Sequence, residues 1–290
     1  MISIYKNYAQ PPSILANEHR VNKLTEIINK KDGNLYINND YAPATVKTAL
    51  ETVYKEKCAY CESKIKHAAN LQVEHYRPKA KVNEDEDHGG YYWLGLEWSN
   101  LLLSCPRCNQ NGAKGNSFPI QGKRAALPVT VISSNKIDRT DLCANDIPLI
   151  RERPLLLNPE INNPRIHFYF DEHGKIYGKT LEGKSTINIC NLNRAHLVGH
   201  RQELRLLLLK DIETVIEANR RGKLAKGGFE YFMQKALEKV EVRQYSDKEY
   251  SLWGWYLFYF FEKCFLSAID NKQEKVIVLA AYKSYRKGKL

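Results

Sequence analysis

Two pairs of Cys residues with the same short spacing constrain this chain more than any other feature of its sequence. Cys58 and Cys61 form the first pair, and Cys105 and Cys108 form the second pair after 43 intervening residues. Four thiolates supply the tetrahedral ligand set of a structural Zn²⁺ site. The repeated spacing argues against four unrelated buried cysteines, so the sequence predicts one zinc ion that joins two distant segments. Because such a site has no open position for a substrate, we expect this zinc to be structural rather than catalytic.

The composition is that of an ordinary globular protein, and its charge favours a polyanionic partner. Of the 290 residues, 43% are hydrophobic and 27% are charged, which excludes a collagen, a coiled-coil rod and a disordered tail. Lys and Arg total 44 against 33 for Asp and Glu, so the net charge is +11. This balance is typical of proteins that bind nucleic acid or an anionic membrane surface, and it does not choose between them.

The longest apolar stretch, from Trp253 to Ile269, is too short for a membrane span. It has 17 residues and is interrupted by Glu262 and Lys263, whereas a membrane-spanning helix needs about 20 mostly apolar residues. It is apolar on all sides, which predicts a helix buried in a helical domain or against a partner protein or a second copy. The first residues, MISIYKNYAQPP, contain no basic segment followed by an apolar core, so we expect no targeting segment and a cytoplasmic location.

The distribution of apolar and turn-forming residues divides the chain into four segments and indicates the α+β class. Residues 1–55 are predicted to be an N-terminal helical segment, and residues 56–125 are the core that holds the cysteine pairs. Residues 126–185 are predicted to be loops and a β-hairpin, with the hairpin strands on either side of Glu172–Gly174. Residues 186–290 carry apolar residues at helical spacing and are predicted to form a C-terminal helical domain.

The distinctive chemistry lies between the two cysteine pairs. Glu74 and His75 follow the short apolar strand of residues 71–73, and together they offer a hard oxygen ligand for a divalent metal and a base for water. Adjacent residues of a strand point to opposite faces, so the pair must lie where the strand ends. Asn100 opens a second predicted strand, LLLS, and Asn109 follows the second cysteine pair, where we expect it to open a helix.

The Glu74–His75 pair, Asn100 and Asn109, framed by the cysteines, resemble an HNH endonuclease of the zinc-framed ββα-metal type over about residues 58–119. Longer strings narrow the resemblance to the HNH nuclease of Septu-type anti-phage systems (PtuB-like), which acts beside an ATPase partner. These strings span roughly residues 50–205 and are VEHYRPK, GGYYWL, EWSNLLLSCPRCN, LLLNPEINNPRIHFYF and GKSTINICNLNRAHLVGHR. The resemblance implies a zinc-framed ββα-metal nuclease core with a flanking β-hairpin and a C-terminal helical domain.

The resemblance also implies a role for each residue of the motif. His75 matches the general base, and Asn100 matches the Asn that orients the loop carrying the base. Glu74 matches the first ligand of the catalytic metal, a position more often Asp or His in the family, and Asn109 matches the second, where His is also common. Two oxygen ligands leave several positions for water and phosphate, which suits Mg²⁺ or Mn²⁺.

Phosphodiester hydrolysis also requires positive charge to hold the phosphates, and basic residues surround the motif. Lys114 is the first candidate for a nucleic-acid contact, while Arg77 and Lys79 are equally accounted for by a solvated loop. We expect DNA to be the substrate. A ribonuclease built on the same site, for example one that cleaves tRNA, and a non-catalytic zinc-framed module that binds nucleic acid remain as alternatives.

Overall fold

The computed structural model describes residues 1–110 and 112–290 and divides the chain into two compact units. The N-terminal unit comprises Met1–His167 and Gly178–Leu192, and the C-terminal unit comprises Phe168–Tyr177 and Asn193–Leu290. The mixture of helices with short strands confirms the predicted α+β class. The division of the sequence into four segments stays a prediction.

The N-terminal unit combines short helices with two small sheets. The N-terminal segment forms α1 because Asn17 caps its first turn and because Val21, Leu24 and Ile27 recur at helical spacing on its buried face. The helices are α1 (Glu18–Lys30), α2 (Asn38–Tyr41), α3 (Ala44–Tyr54), α4 (Pro106–Asn109), α5 (Ile147–Ile150), α6 (Pro164–His167) and α7 (Leu181–Ile189). The strands are β1 (Gln72–His75), β2 (Leu101–Ser104), β3 (Ile132–Ser133) and β4 (Lys136–Ile137).

Strands β1 and β2 form an antiparallel ribbon that positions the motif. Glu74 pairs with Leu102, and His75 pairs with Leu101 at the end of the ribbon. All four residues of β2 are buried, and α3 and α4 pack against this sheet. Strand, strand and helix therefore follow one another in the predicted ββα order.

Helix α4 ends with Asn109 in the sequence, whereas the prediction placed a helix after this residue. Cys105 is its N-cap and Pro106 occupies the first turn, where proline is well tolerated because no amide hydrogen is needed there. The helix therefore starts within the second cysteine pair and ends at Asn109, so the expectation that Asn109 opens a helix is wrong.

The C-terminal unit contains the predicted hairpin and the longest helices. The hairpin is confirmed, and its turn contains Gly174 at φ 83°, a conformation that favours glycine. The strands are β5 (Phe168–Phe170) and β6 (Ile176–Gly178, of which Gly178 belongs to the N-terminal unit), and the helices are α8 (Ala195–Arg220), α9 (Gly228–Val242), α10 (Ser251–Tyr259), α11 (Phe261–Cys264) and α12 (Lys272–Arg286). In the described residues, no helix is long and apolar enough to cross a membrane.

The aromatic stretch of residues 253–269 is not one continuous helix. Helix α10 ends at Tyr259, the backbone of Phe260 leaves the helical region at ψ 40°, and α11 begins at Phe261. Trp253 is buried and its indole N–H donates to the carbonyl of Arg201, at 2.9 Å. Most of the stretch is thus core of the C-terminal unit, whereas Tyr259 and Phe260 remain 43% and 41% exposed.

Candidate functional site

The four cysteines of the two pairs converge on one buried position. Their Sγ atoms all lie within 4.8 Å of one another, and those of Cys61 and Cys105 are 3.7 Å apart. Zn–S bonds of about 2.3 Å in a tetrahedron place the sulfur atoms about 3.8 Å apart. The cluster therefore fits one zinc ion, and it joins the turn after α3 to the start of α4.

His75 lies at the end of β1 with its imidazole held in one orientation. The side chain is buried, and its Nε2 lies 3.0 Å from the carbonyl oxygen of Gly95. Because a carbonyl oxygen accepts only, Nε2 carries the proton and Nδ1 keeps its lone pair. Burial lowers the pKa of His75 to about 3, with a smaller contribution from Lys79 and Lys114, so the ring is neutral near pH 7.

Asn100 connects the two loops that determine the position of His75. Its Oδ1 accepts from the backbone N–H of Arg77 at 2.8 Å, and its Nδ2 donates to the carbonyl oxygens of Arg77 at 3.1 Å and Leu94 at 3.2 Å. Arg77 lies two residues after the imidazole, and Leu94 immediately precedes Gly95. The buried amide of Asn100 therefore fixes both the loop that carries His75 and the loop that carries its hydrogen-bond acceptor.

Glu74 is buried and already has a cationic partner. The ammonium group of Lys114 lies 2.5 Å from its carboxylate and also donates to the carbonyl of His75 at 2.8 Å. Burial raises the pKa of Glu74, and Lys114 opposes this shift. Lys114 thus compensates a buried negative charge beside the candidate base, a placement that does not match the contact with phosphate expected from the sequence.

Asn109, at the end of α4, faces the same side of β1 as Glu74. Its Nδ2 donates to the side-chain oxygen of Gln72 at 3.0 Å, which leaves the amide oxygen as its acceptor atom. Gln72 and Glu74 are two residues apart on the strand and therefore share a face. The fold brings the two expected metal ligands to one side of the sheet and presents oxygen atoms, the donor type that Mg²⁺ and Mn²⁺ prefer.

The two other basic residues expected to contact nucleic acid lie in different environments. The guanidinium of Arg77 is buried, where it donates to Glu152 at 2.7 Å and to the carbonyl of Leu149 at 2.9 Å, so it serves the interior of the N-terminal unit. Lys79 is half-buried, its ammonium donates to the carbonyl of Gly33 at 2.9 Å, and burial lowers its pKa. Of the three candidates, Lys79 is the one that retains exposed surface.

Tyr41, which the sequence did not indicate, lies directly on the candidate base. The centroids of its ring and that of His75 are 4.5 Å apart with an interplanar angle of 67°, and the ammonium of Lys79 lies 5.7 Å from the Tyr41 centroid. Arg20 of α1 fixes α2, since its guanidinium donates to the carbonyls of Asn39 and Asp40 at 2.9 and 3.0 Å. The partly buried ring of Tyr41 thus forms one wall beside the imidazole.

Comparison with known proteins accounts for this arrangement. Residues 58–115 match the family model described as HNH endonuclease. We refer to this matching segment as the HNH domain. It contains both cysteine pairs, Glu74, His75, Asn100 and Asn109, and it ends one residue after Lys114. Tyr41 and Arg20 lie outside the domain and complete its surroundings from the N-terminal helices.

Between about half and 71% of the chain can be aligned with proteins that carry the name Septu. It is 35% identical to Septu protein PtuB of Bacillus mycoides (strain KBAB4) over 179 residues, which are 60% of this chain and 54% of that protein. It is 27% identical to Septu protein PtuB of Bacillus thuringiensis over 208 residues, 71% of this chain and 61% of that protein. It is also 33% identical to Septu protein PtuA of Bacillus mycoides over 159 residues, 53% of this chain and 20% of that protein. The chain thus spans about half the length of the first PtuB protein.

Proposed function

We propose that this protein is an endonuclease that hydrolyses phosphodiester bonds of DNA with the help of a divalent metal ion. The observation that carries the proposal is the state of His75: a buried, neutral imidazole whose Nε2–H is engaged by Gly95, so that Nδ1 is the free acceptor. An acceptor held in this way can remove a proton from the attacking water. Glu74 and Asn109 would hold Mg²⁺ or Mn²⁺, which when bound stabilises charge on the phosphate and on the leaving oxygen.

The residues around His75 each have a defined part in this proposal. Asn100 keeps the imidazole in place by fixing its loop and that of Gly95. Lys114 compensates the charge of the buried Glu74 carboxylate and holds this group in place through their ion pair. Tyr41 packs on one side of the imidazole and is itself only partly buried.

The decisive experiment compares His75→Ala with the wild-type protein on plasmid DNA in the presence of Mg²⁺ or Mn²⁺. Loss of a general base lowers the rate by about 10²–10⁴-fold. The control is His200→Ala, because this imidazole is 62% exposed on α8 of the C-terminal unit and should be dispensable. Both variants should keep the zinc content and circular dichroism of the wild type. Cleavage by folded His75→Ala at the rate of the control would refute the assignment.

The metal requirement is tested by brief chelation. EDTA should stop cleavage and added Mg²⁺ or Mn²⁺ should restore it without loss of zinc, since two oxygen ligands hold a metal far more weakly than four thiolates do. Asn109→Ala should shift the restoration to higher metal concentration. Full activity of EDTA-treated protein that contains zinc alone would exclude this mechanism.

The same assay addresses the nature of the polynucleotide. Activation of water does not use the ribose 2′-hydroxyl, so the site chemistry is compatible with DNA and with RNA. Plasmid DNA, single-stranded DNA and tRNA should therefore be compared as substrates under identical conditions. Faster cleavage of tRNA would identify RNA, not DNA, as the substrate.

We further propose that the protein acts in the cytoplasm in anti-phage defence together with an ATPase partner. Support comes from its similarity to the Septu proteins PtuB and PtuA and from the resemblance of its motifs to the nuclease of such systems. Expressed with its partner, the wild-type protein should protect cells from phage, and His75→Ala should not. Copurification of the two proteins would test the association, and protection by the variant would exclude the nuclease as the effector.

A further inference from the structure

The C-terminal unit contains a cavity that the nuclease site does not account for. It has a volume of about 570 Å³, within the range of small-ligand sites, and lies between the α10–α11 junction and the end of α12. Aromatic rings supply its apolar surface, and Tyr259 and Phe260 are 43% and 41% exposed there. Its lining includes Tyr259, Phe260, Glu262, Lys283, Arg286 and Lys287.

The charge of this cavity is strongly positive. Lys283 and Arg286 of α12 and its C-cap residue Lys287 are exposed, and their separations of three and four residues are those of neighbours on one helix side. Within the described part of the chain, none of the three has a carboxylate within ion-pair distance. A cavity with unneutralised cations and one lining carboxylate, Glu262, attracts an anion.

The aromatic rings and the cations are interleaved rather than separate. The guanidinium carbon of Arg286 lies 4.9 Å from the centroid of Tyr259, and its Nη1 donates to the hydroxyl of Tyr282 at 3.4 Å. Phe260 stacks on Tyr256 with centroids 4.3 Å apart, which fixes its exposed ring. The rings are therefore held in place beside positive charge, the combination that binds bases by stacking and phosphates by charge.

We propose that this aromatic–basic cavity binds single-stranded nucleic acid. An unpaired base stacks on the exposed rings of Tyr259 and Phe260, and the flanking phosphates contact Lys283, Arg286 and Lys287. A duplex fits less well because its bases are stacked on one another and present no free face. This site lies in the C-terminal unit, outside the HNH domain, and its binding activity requires no cleavage.

The test is the affinity of the full-length, zinc-containing protein for a fluorescein-labelled 12-nucleotide oligothymidylate, measured by anisotropy without added divalent metal. The His75→Ala background prevents cleavage, so failure of this proposal and failure of the nuclease proposal give separate results. Tyr259→Ala should weaken binding at least fivefold, and Tyr259→Phe should retain the affinity of the parent. Lys283→Gln/Lys287→Gln should weaken binding and reduce the slope of log K against log salt by about 1.4.

The matched control is Lys272→Gln/Lys275→Gln, which removes the same charge from the other end of α12. Its affinity should stay within twofold of the parent, and the melting temperatures of all variants should agree. Trp255 provides a second readout, because its ring lies 5.2 Å from Tyr259 and its fluorescence should be quenched on binding. An oligouridylate of the same length distinguishes RNA from DNA as the occupant, and tighter binding of either one supports the site.

Three results would overturn the proposal. The first is an affinity within twofold of the parent for both Tyr259→Ala and Lys283→Gln/Lys287→Gln. The second is a loss in the lysine variant without a loss in Tyr259→Ala, which would indicate a charged surface without a stacking site. The third is loss of a copurifying protein partner by these variants while oligonucleotide affinity is unchanged, which would identify the cavity as a protein interface.

Discussion

Replacement of Asn100 by Ala provides the sharpest test of how the HNH domain holds its base. The side chain is 1% exposed and is the hydrogen-bond partner of the backbone N–H and C=O of Arg77. Each of these groups loses its partner in the variant, and a buried unsatisfied group costs about 1–3 kcal/mol. The free energy of unfolding should therefore fall by about 2–6 kcal/mol. Loss of the bond to Leu94 should add little, because the carbonyl of Leu94 also accepts from the backbone N–H of Glu97.

The same substitution should also slow cleavage by the folded protein. Asn100 bonds to Arg77, two residues after His75, and to Leu94, the residue before Gly95. Its loss therefore loosens both partners of the hydrogen bond between the His75 Nε2 and the Gly95 carbonyl. A misplacement of the base by about 1 Å can reduce the rate by about 10²-fold. We expect this loss at saturating Mg²⁺, with an unchanged metal concentration for half-maximal rate, because the defect lies in the base and not in the metal ligands.

A second asparagine offers a matched control. The side chain of Asn193 makes the same two bonds, accepting from the backbone N–H of Ile176 at 2.9 Å and donating to its carbonyl at 2.8 Å, in the C-terminal unit. Asn193→Ala should lower the free energy of unfolding, measured by urea titration, while single-turnover cleavage below the transition stays normal. The reasoning fails if Asn100→Ala is as stable as the wild type, or if both variants slow cleavage equally.

Three further predictions concern the surroundings of the base. Elemental analysis should find about one zinc ion per chain in the wild type, and Cys105→Ser should release this zinc and unfold the HNH domain. A stable fold without metal would contradict the zinc assignment. Lys114→Met should lower the free energy of unfolding by about 3–5 kcal/mol because Glu74 is left uncompensated. Mn²⁺ should then raise the melting temperature of this variant more than that of the wild type, and an equal rise would argue against Glu74 as a ligand. Tyr41→Ala should lower the cleavage rate while Tyr41→Phe retains it, since the ring and not the hydroxyl packs on His75; equal rates for both would exclude a role for the ring.

The parts of the site that sequence could predict are those encoded by short-range spacing. The repeated Cys pairs predicted the convergence of the four cysteines, and the run LLLS after Asn100 predicted β2. The turn at Gly174 predicted the hairpin in the same way, because the conformation needed there favours glycine. In each case the sequence signal is local, since each Cys pair, the strand and the turn can be recognised within a few neighbouring residues, although the two Cys pairs are 43 residues apart.

Residues whose roles depend on distant partners were not predictable from such patterns. Lys114 was expected to contact phosphate, but the side chain is buried. Its ammonium group is bound to the carboxylate of Glu74 and the carbonyl of His75, about 40 residues earlier in the chain. Arg77 is similarly occupied by Glu152, 75 residues away in sequence. Tyr41 belongs to a four-residue helix with no distinctive pattern, and its position on His75 follows from tertiary packing alone.

Residues outside positions 58–115 therefore stabilise the HNH domain. We expect residues 58–115 alone not to fold into a competent nuclease. The two strands and the helix of its ββα core have four residues each, and an isolated two-stranded ribbon is at best marginally stable in water. Contacts with residues outside this segment stabilise it. Lys6 donates to the carbonyl of Leu101, and Glu152 accepts from Arg77. The amino group of Met1 pairs with Glu62, and the ring of Tyr41 packs on His75. A fragment of residues 58–115 should bind zinc but show no cooperative unfolding and no cleavage, whereas residues 1–192 retain every one of these partners. Cooperative unfolding and wild-type cleavage by the short fragment would show that zinc and the ribbon suffice, and that the surrounding contacts do not position the base.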